Sequence, residues 1–409
     1  MVIREKYLKI IRPFYKNEMI KVLIGIRRSG KSVLLNQIIE EIKTKNSVSP
    51  SNILYINFED YSYQKLTNTE EFYKYVENWL ENKTKNLKYL FFDEIQEVKN
   101  FEKVINSFRA THKDISIFIT GSNSKLLSGK LATYLGGRTL SFKIYPFTFS
   151  EFLELEDDFN NLNSKLEIYF KWGGFPLVCK SQSSEEKRVQ LLNLYDSIIM
   201  QDIISASSFG QIDTMKRILT FILGNTSLTV SPETITKELG KVGIKVSIPT
   251  VYEYLQLFED AGIVNLIQRY DIRGKQILKT LKKAYSCDLG LFELTRTRAN
   301  SSLGSIIETL VLQELKSRGL NVYVGKTYKG EVDFIAEKIG LGICYIQVSY
   351  IMESKKTIER EFGAFSPIKN NCPKYVISTD PVNLSQNGII HLKLIDFLLD
   401  EELLQFRQL

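Results

Sequence analysis

Histidine is nearly missing from this chain: His112 and His391 are the only two among 409 residues. So small a supply leaves little room for histidine-built metal centres or for nucleophile–histidine triads. Cysteine is scarce and scattered. Cys179, Cys287, Cys344 and Cys372 share no C-x-x-C spacing, which argues against zinc clusters and against a disulfide framework. Long apolar runs are also lacking, and none approaches the length needed to cross a bilayer. The opening Met1-Val2-Ile3-Arg4-Glu5-Lys6 is charged rather than apolar. Neither a secretory leader nor membrane insertion is therefore expected, and the expected address is the cytoplasm. No N-K-x-D motif for reading guanine is present.

What the chain does have is ordinary in bulk, with 44% hydrophobic and 25% charged residues, as in a folded globular protein. Its length suggests two to four domains. The formal net charge is +7, and its distribution says more than its size. Between Ala261 and Gly330 there are 12 Lys/Arg against 5 Asp/Glu, so this one segment equals the imbalance of the whole chain. A basic segment of that kind is a candidate nucleic-acid footprint, although a merely solvated surface gives the same count.

The sharpest signal lies near the amino end. Gly25-Ile26-Arg27-Arg28-Ser29-Gly30-Lys31-Ser32 follows the apolar run Val22-Leu23-Ile24 and opens onto Val33-Leu34-Leu35. This is strand, glycine loop and helix, the G-x-x-x-x-G-K-[ST] phosphate-binding loop in its proper setting. The loop residues, Gly25 and Arg28 through Val33, are expected to cradle a nucleoside triphosphate with backbone N–H groups at a helix N-terminus. Lys31 would reach the β- and γ-phosphates, and Ser32 would ligate Mg²⁺. Lys88-Tyr89-Leu90-Phe91-Phe92-Asp93-Glu94 is an apolar strand ending in paired carboxylates. Asp93 would hold Mg²⁺ there, and Glu94 would act as general base toward the attacking water. A further strand, Ile115 to Thr120, ends in Gly121-Ser122-Asn123, where a polar side chain such as Asn123 would help position that water.

The order of phosphate loop, acidic strand, polar strand end and Gly136-Gly137-Arg138 resembles the AAA-type ATPases. The resemblance implies ATP with Mg²⁺, an arginine finger at Arg138 acting on a neighbouring subunit, and hence a homo-oligomer. Phe92-Asp93-Glu94-Ile95-Gln96, Thr120-Gly121-Ser122 and Tyr145-Pro146-Phe147-Thr148-Phe149-Ser150-Glu151-Phe152 extend it to a prokaryotic family. Its members are AAA-type ATPases carrying a C-terminal domain of unknown function. Gly173-Gly174-Phe175-Pro176-Leu177 resembles the G-x-P element of STAND signalling ATPases, which places Pro176 against the nucleotide. From the residues alone, that stretch is a helix breaker and turn.

From Phe147 to about Gly210 the apolar spacing is helical, suiting an ATPase lid, with Ser205 to Gly210 as a hinge. Three short helices follow, the second capped by Ser231 with Pro232 at its first position and the third opened by Ser247. Ile263 to Tyr270 and Gln276 to Lys279 flank the turn Asp271 to Lys275. This is the layout of a winged helix. Glu253, Glu259 and Asp260 on its third helix would repel phosphates. Lys241, Lys245, Arg269, Arg273, Lys275, Lys279, Lys282 and Lys283 supply the positive charge, a pattern that favours backbone contact over base reading.

Beyond Leu303 the pattern is α/β. A helix carrying Glu308 within apolar neighbours, a strand carrying Glu331 and Asp333, and a strand carrying Gln347 and Ser349 resemble the PD-(D/E)xK nuclease fold. The resemblance implies a metal site at Glu308, Asp333 and Gln347. It breaks at the chemistry, because Gln347 replaces the usual carboxylate and Ser349 the lysine. Lys326, Lys329 and Lys355 are the candidate substitutes. A degenerate nuclease fold is the expectation.

The expected architecture is therefore α/β and multidomain. A P-loop AAA-type parallel sheet core spans 1–146, a helical lid 147–212, a winged helix 213–298 and a PD-(D/E)xK-like domain 299–409. The expected function is an ATPase whose nucleotide state controls engagement of nucleic acid, in the first instance DNA. The alternatives are a nucleotide-gated protein-assembly switch and an ATP-dependent nuclease.

Overall fold

The computed structural model describes residues 2–82, 86–122, 137–155, 160–204, 212–296 and 302–408, without the side chains of 279 and 280. The chain divides into two compact units. The first takes Met1–Pro146 with Met200–Ala206 and Asp260–Gly262; the second takes Phe147–Ile199, Ser207–Glu259 and Ile263–Leu409.

In the first unit β1 (Ile20–Gly25), β2 (Ile53–Asn57), β3 (Lys88–Asp93), β4 (Ile115–Ser122) and β5 (Thr139–Lys143) form one sheet. The strand order is β2-β3-β4-β1-β5, and every pairing is parallel. Strands β1, β3 and β4 are buried along their whole length, which is why they read as unbroken apolar runs rather than alternating ones. Alternate residues feed two cores. Leu23, Phe91 and Phe118 pack with the helices Glu5–Ile11 and Lys31–Lys45, whereas Val22, Phe92 and Ile119 pack with Thr69–Glu81 and Phe101–Thr111. Because β4 lies between β1 and β3, the carboxyl ends of all three strands meet at one edge.

In the second unit, the stretch expected to be helical contains the helices Phe149–Leu153, Leu162–Trp172, Pro176–Lys180 and Ser184–Ile198. The expected hinge at 205–210 lies outside the described residues. Ile212–Gly224, Pro232–Lys241 and Ile248–Asp260 come next. Ser231 Oγ accepts from Thr234 N at 3.1 Å and Ser247 Oγ from Thr250 N at 3.2 Å, so the helix starts fall where the serines signal them.

The remaining strands are β6 (Leu228–Val230), β7 (Val264–Asp271), β8 (Gln276–Ser286), β9 (Asn321–Lys326), β10 (Glu331–Lys338), β11 (Gly342–Val348), β12 (Lys374–Ser378) and β13 (Ile390–Lys393). They form a single mixed sheet in the order β13-β12-β11-β10-β9-β7-β8-β6. The expected hairpin is β7–β8. Its outer edge is taken by β9, which runs parallel to β7 with Arg269 opposite Val324. The segments expected as 213–298 and 299–409 thus contribute strands to one sheet. An isolated hairpin leaves a row of unpaired N–H and C=O groups, and the apolar pattern does not say which strand will cover them. Among the described residues no helix is long and apolar enough to cross a membrane.

Candidate nucleotide-binding site

Strand β1 ends at Gly25, and a side chain there would collide with the backbone after β5, since a built Cβ falls 2.2 Å from Ile144 O. The loop then turns through two left-handed residues, Arg28 at φ 62° and Gly30 at φ 97°. Gly30 takes that conformation freely, whereas Arg28 is strained by it. The helix Lys31–Lys45 starts directly afterwards. Lys31 is 4% exposed and curls back, donating from Nζ to Gly25 O and Ile26 O, each at 3.2 Å. Burial pushes its ammonium below the ordinary lysine range, against the raising influence of Glu94 and Asp202.

Asp93 at the end of β3 is fully buried. It accepts from Thr120 Oγ1 and from Tyr55 OH, the latter at 3.2 Å. Burial pushes its carboxyl up; hydrogen bonds from Thr120, Ser32 and Tyr55 pull the other way, while Glu94 adds to the rise. Glu94 follows in a left-handed conformation (φ 53°), with its N–H bonded to Thr120 Oγ1 at 3.0 Å and its carboxylate bonded to Gln96 Nε2. Two serine hydroxyls complete the edge. Among the described residues Ser29 Oγ and Ser122 Oγ are buried without a hydrogen-bond partner, and Ser122 pairs with Gly25 across β4 and β1. Buried hydroxyls are ordinarily satisfied, so two orphans beside one glycine loop mark a place built for polar atoms.

The structure brings Gly25, Ser29, Gly30, Lys31, Ser32, Asp93 and Glu94 together at one edge of the sheet. Arg28 and Val33 sit there too, with Val33 exposed. Asn123 lies outside the described residues. Arg138 directly precedes β5 at the opposite end of the sheet, its backbone O accepting from Ile20 N and its Nη1 donating to Asn106 Oδ1 at 2.8 Å. It is separated from the loop by the length of β1, roughly 17 Å at about 3.3 Å per residue, so it does not serve the loop of its own chain. Pro176 belongs to the second unit, where Asp288 accepts from Gly174 N at 2.7 Å and shapes the turn.

Several residues of the site were assigned no role from the sequence. Thr120 and Tyr55 hold Asp93 from neighbouring strands. Arg4, 1% exposed, donates to Ser29 O and to Tyr145 O, both at 3.0 Å, and so ties the phosphate loop to the chain after β5. A trans peptide points its C=O and N–H in opposite directions, so tying Ser29 O to Arg4 also fixes the direction of the Gly30 N–H.

The C-terminal cluster is arranged differently. Glu308 Oε1 accepts from Lys283 Nζ at 2.7 Å and Tyr285 OH at 2.6 Å. Asp333 Oδ2 accepts from Val348 N at 2.8 Å, and Gln347 bonds Asp333 N and Glu361. Glu331, grouped with Asp333 by its spacing along the strand, instead pairs with Arg269 at 2.6 Å. The lysine bonded to Glu308 is Lys283 on β8, not Lys326, Lys329 or Lys355. Burial works to lower its ammonium, and Glu308, with Asp333 behind it, more than offsets that and leaves it raised. Asp333 is pushed well up by burial and then by Glu308. The three residues Glu308, Asp333 and Gln347 do line one cavity of ≈ 720 Å³. Among the described residues, however, no group of three or more His, Cys, Asp or Glu side chains is placed to hold a metal ion.

Comparison with known proteins matches two stretches of the chain to families. Residues 17–153 match the family described as AAA domain, and residues 163–301 match a domain of unknown function, DUF8612. An uncharacterized protein of Haemophilus influenzae is 34% identical over 403 residues, covering 98% of this chain and 99% of the relative. The chain belongs to that family, an AAA-type P-loop family. The uncharacterized protein MJ1544 of Methanocaldococcus jannaschii is 33% identical over 367 residues, covering 85% of this chain and 78% of the relative. The Walker-type ATPase PABY2304 of Pyrococcus abyssi superposes with a TM-score of 0.50 at 15% identity, over 73% of this chain and 96% of that one. That likeness is one of fold. The AAA-type assignment rests on the same loop and strand edge whose geometry is described above.

Proposed function

We propose that this AAA-type protein is a Mg²⁺-dependent ATP hydrolase whose nucleotide state controls engagement of nucleic acid by its second unit. The observation that carries the ATPase part is the pairing of opposite faults at one strand edge. Lys31 is buried against its own loop carbonyls, and Asp93 is buried as an acid in reach of the Ser32 hydroxyl. An anion relieves the first and a divalent cation the second, so the residues fit a triphosphate with its metal. Ser32 and Asp93 would hold that Mg²⁺, which supplies charge neutralisation for phosphoryl transfer. Lys31 binds the phosphate oxygens, and Glu94, anchored by Gln96, takes the proton of the attacking water. Asn123 and a neighbouring subunit's Arg138 are the proposed further contributors, and Pro176 the proposed nucleotide contact.

For the nucleic-acid part, the support is the helix trio with its hairpin, read as a winged helix. Its positive charge is smaller than the sequence suggests: Lys241, Arg269, Lys282 and Lys283 are ion-paired to Glu238, Glu331, Glu259 and Glu308. The proposed footprint contracts to exposed Lys245, Arg273 and Lys275, the last two in the hairpin turn, together with Lys279, whose side chain lies outside the described residues. That same pairing favours the second reading, a nucleotide-gated protein-assembly switch. The C-terminal cavity is proposed as a degenerate nuclease-like site. Turnover of ATP with and without duplex DNA, on wild type and on Arg273→Ala/Lys275→Ala, separates the two. Stimulation that the double variant loses supports nucleic acid; absence of both DNA binding and stimulation leaves the assembly switch.

A further inference from the structure

Asp202 plays no part in the hydrolysis scheme, yet it sits at the phosphate loop. It lies in the short π-helical turn Ile199–Ile203, in the stretch Met200–Ala206 that packs within the first compact unit. Its side chain is 1% exposed, and Oδ2 accepts from Arg27 Nε at 3.3 Å across 175 residues of sequence. Arg27 stands between Gly25 and Gly30, and its Nη1 also faces Glu59 at 3.6 Å. Asp202 is, after Glu94, the acid that most supports the charge of Lys31.

A carboxylate here has the wrong sign for its surroundings. The loop exists to collect negative oxygens, and a buried aspartate at its side repels them in a poorly screened setting. Asp93 and Glu94 have metal and proton work that explains their charge. Asp202 has neither, and what it faces is the loop's own arginine. A guanidinium held by two carboxylates is withheld from phosphate, which it would otherwise bind in the same forked manner.

We propose that Asp202 is an internal counter-ion of the phosphate loop: it holds Arg27 and competes with the phosphates for the loop's cations, so setting nucleotide affinity. The inference rests on the nucleotide-site reading above and deepens it. Its consequence is a gain rather than a loss. Removing the charge while keeping the shape frees Arg27 and lifts a repulsion, whereas a structural brace would only weaken binding when cut.

The test uses the full chain and Asp202→Asn, titrated calorimetrically with Mg²⁺-ATP, with inorganic pyrophosphate and with adenosine. Asp202→Asn is expected to bind ATP and pyrophosphate about fivefold or more tightly than wild type, with adenosine unchanged. Arg27→Met is expected to bind ATP more weakly, and Arg27→Met/Asp202→Asn to show less than half the gain. Equal or weaker ATP binding by a cooperatively melting Asp202→Asn overturns the proposal. Should that variant not fold, Arg27→Met decides alone, and ATP affinity equal to wild type overturns it. Lys31→Ala separates the layers. If wild type binds no ATP, or Lys31→Ala binds it equally well, the site reading fails; if only the Asp202 variants disagree, this inference fails by itself.

Discussion

Two clusters of acids and lysines face each other's logic in this chain. At the end of the parallel sheet, Lys31 bonds its own loop carbonyls, and among the described residues Ser29 and Ser122 keep buried hydroxyls without partners. In the mixed sheet, Glu308 is closed on Lys283 and Tyr285, and Gln347 joins Asp333 to Glu361. The first cluster leaves polar atoms without partners among the described residues. The second has satisfied itself. A buried polar network that closes internally is suited to hold a fold in register, whereas one that stays open is suited to bind.

The largest expected effect breaks the first cluster. Lys31→Ala removes the cation from the phosphate loop, and ATP turnover should fall to background while the melting temperature changes by only a few degrees. Because Lys31 is buried without an acid in contact, losing it costs the fold little. Turnover comparable to wild type would refute the site.

Next in size comes the closed cluster, where the opposite should hold. Lys283→Met alone strands Glu308 beside Asp333 and should cost about 3 kcal/mol of stability in chemical denaturation. Lys283→Met/Glu308→Gln removes both charges and should recover more than half of that loss. ATP turnover per folded molecule should be unchanged in both. If the double variant is as unstable as the single one, the ion pair is not what the cluster is built around.

The contrast also accounts for what the sequence did and did not disclose. The phosphate loop was legible because its glycines, Lys31 and Ser32 must be contiguous for the backbone to wrap one anion. Asp93 and Glu94 were legible because two adjacent carboxylates ending a buried strand are costly to desolvate unless a cation or a proton is to be met there. Their partners were not. Thr120 and Tyr55 meet Asp93 only because β4 and β2 flank β3, and strand order leaves no trace in local spacing. Asp202 reaches Arg27 from far along the chain. Glu308 plainly needed a partner, but apolar periodicity could not name Lys283, which arrives on a hairpin whose attachment to β9 was unforeseen. A motif can name a residue such as Thr120 without saying which distant side chain it will meet.

The smallest effect sharpens the comparison with a third kind of acid, one closed on backbone alone. Asp288 is 2% exposed and accepts from Gly174 N and Gly290 N at 2.7 and 2.8 Å. Burial pushes its carboxyl up to about 6, against the pull of those amides. A folded value above the ordinary 3.8 means that the folded chain holds this proton more tightly than the unfolded one. Its contribution is then fullest below the ordinary value and is lost as pH rises through about 6. The change is on the order of 3 kcal/mol across that window. Asp288→Asn cannot titrate, and it forfeits an amide bond at every pH equally. Denaturation of both proteins between the two values should therefore show a falling limb in wild type that the variant lacks. Parallel pH profiles would mean that the amides keep Asp288 ionised in the folded chain, and that backbone N–H groups can close a buried acid by themselves.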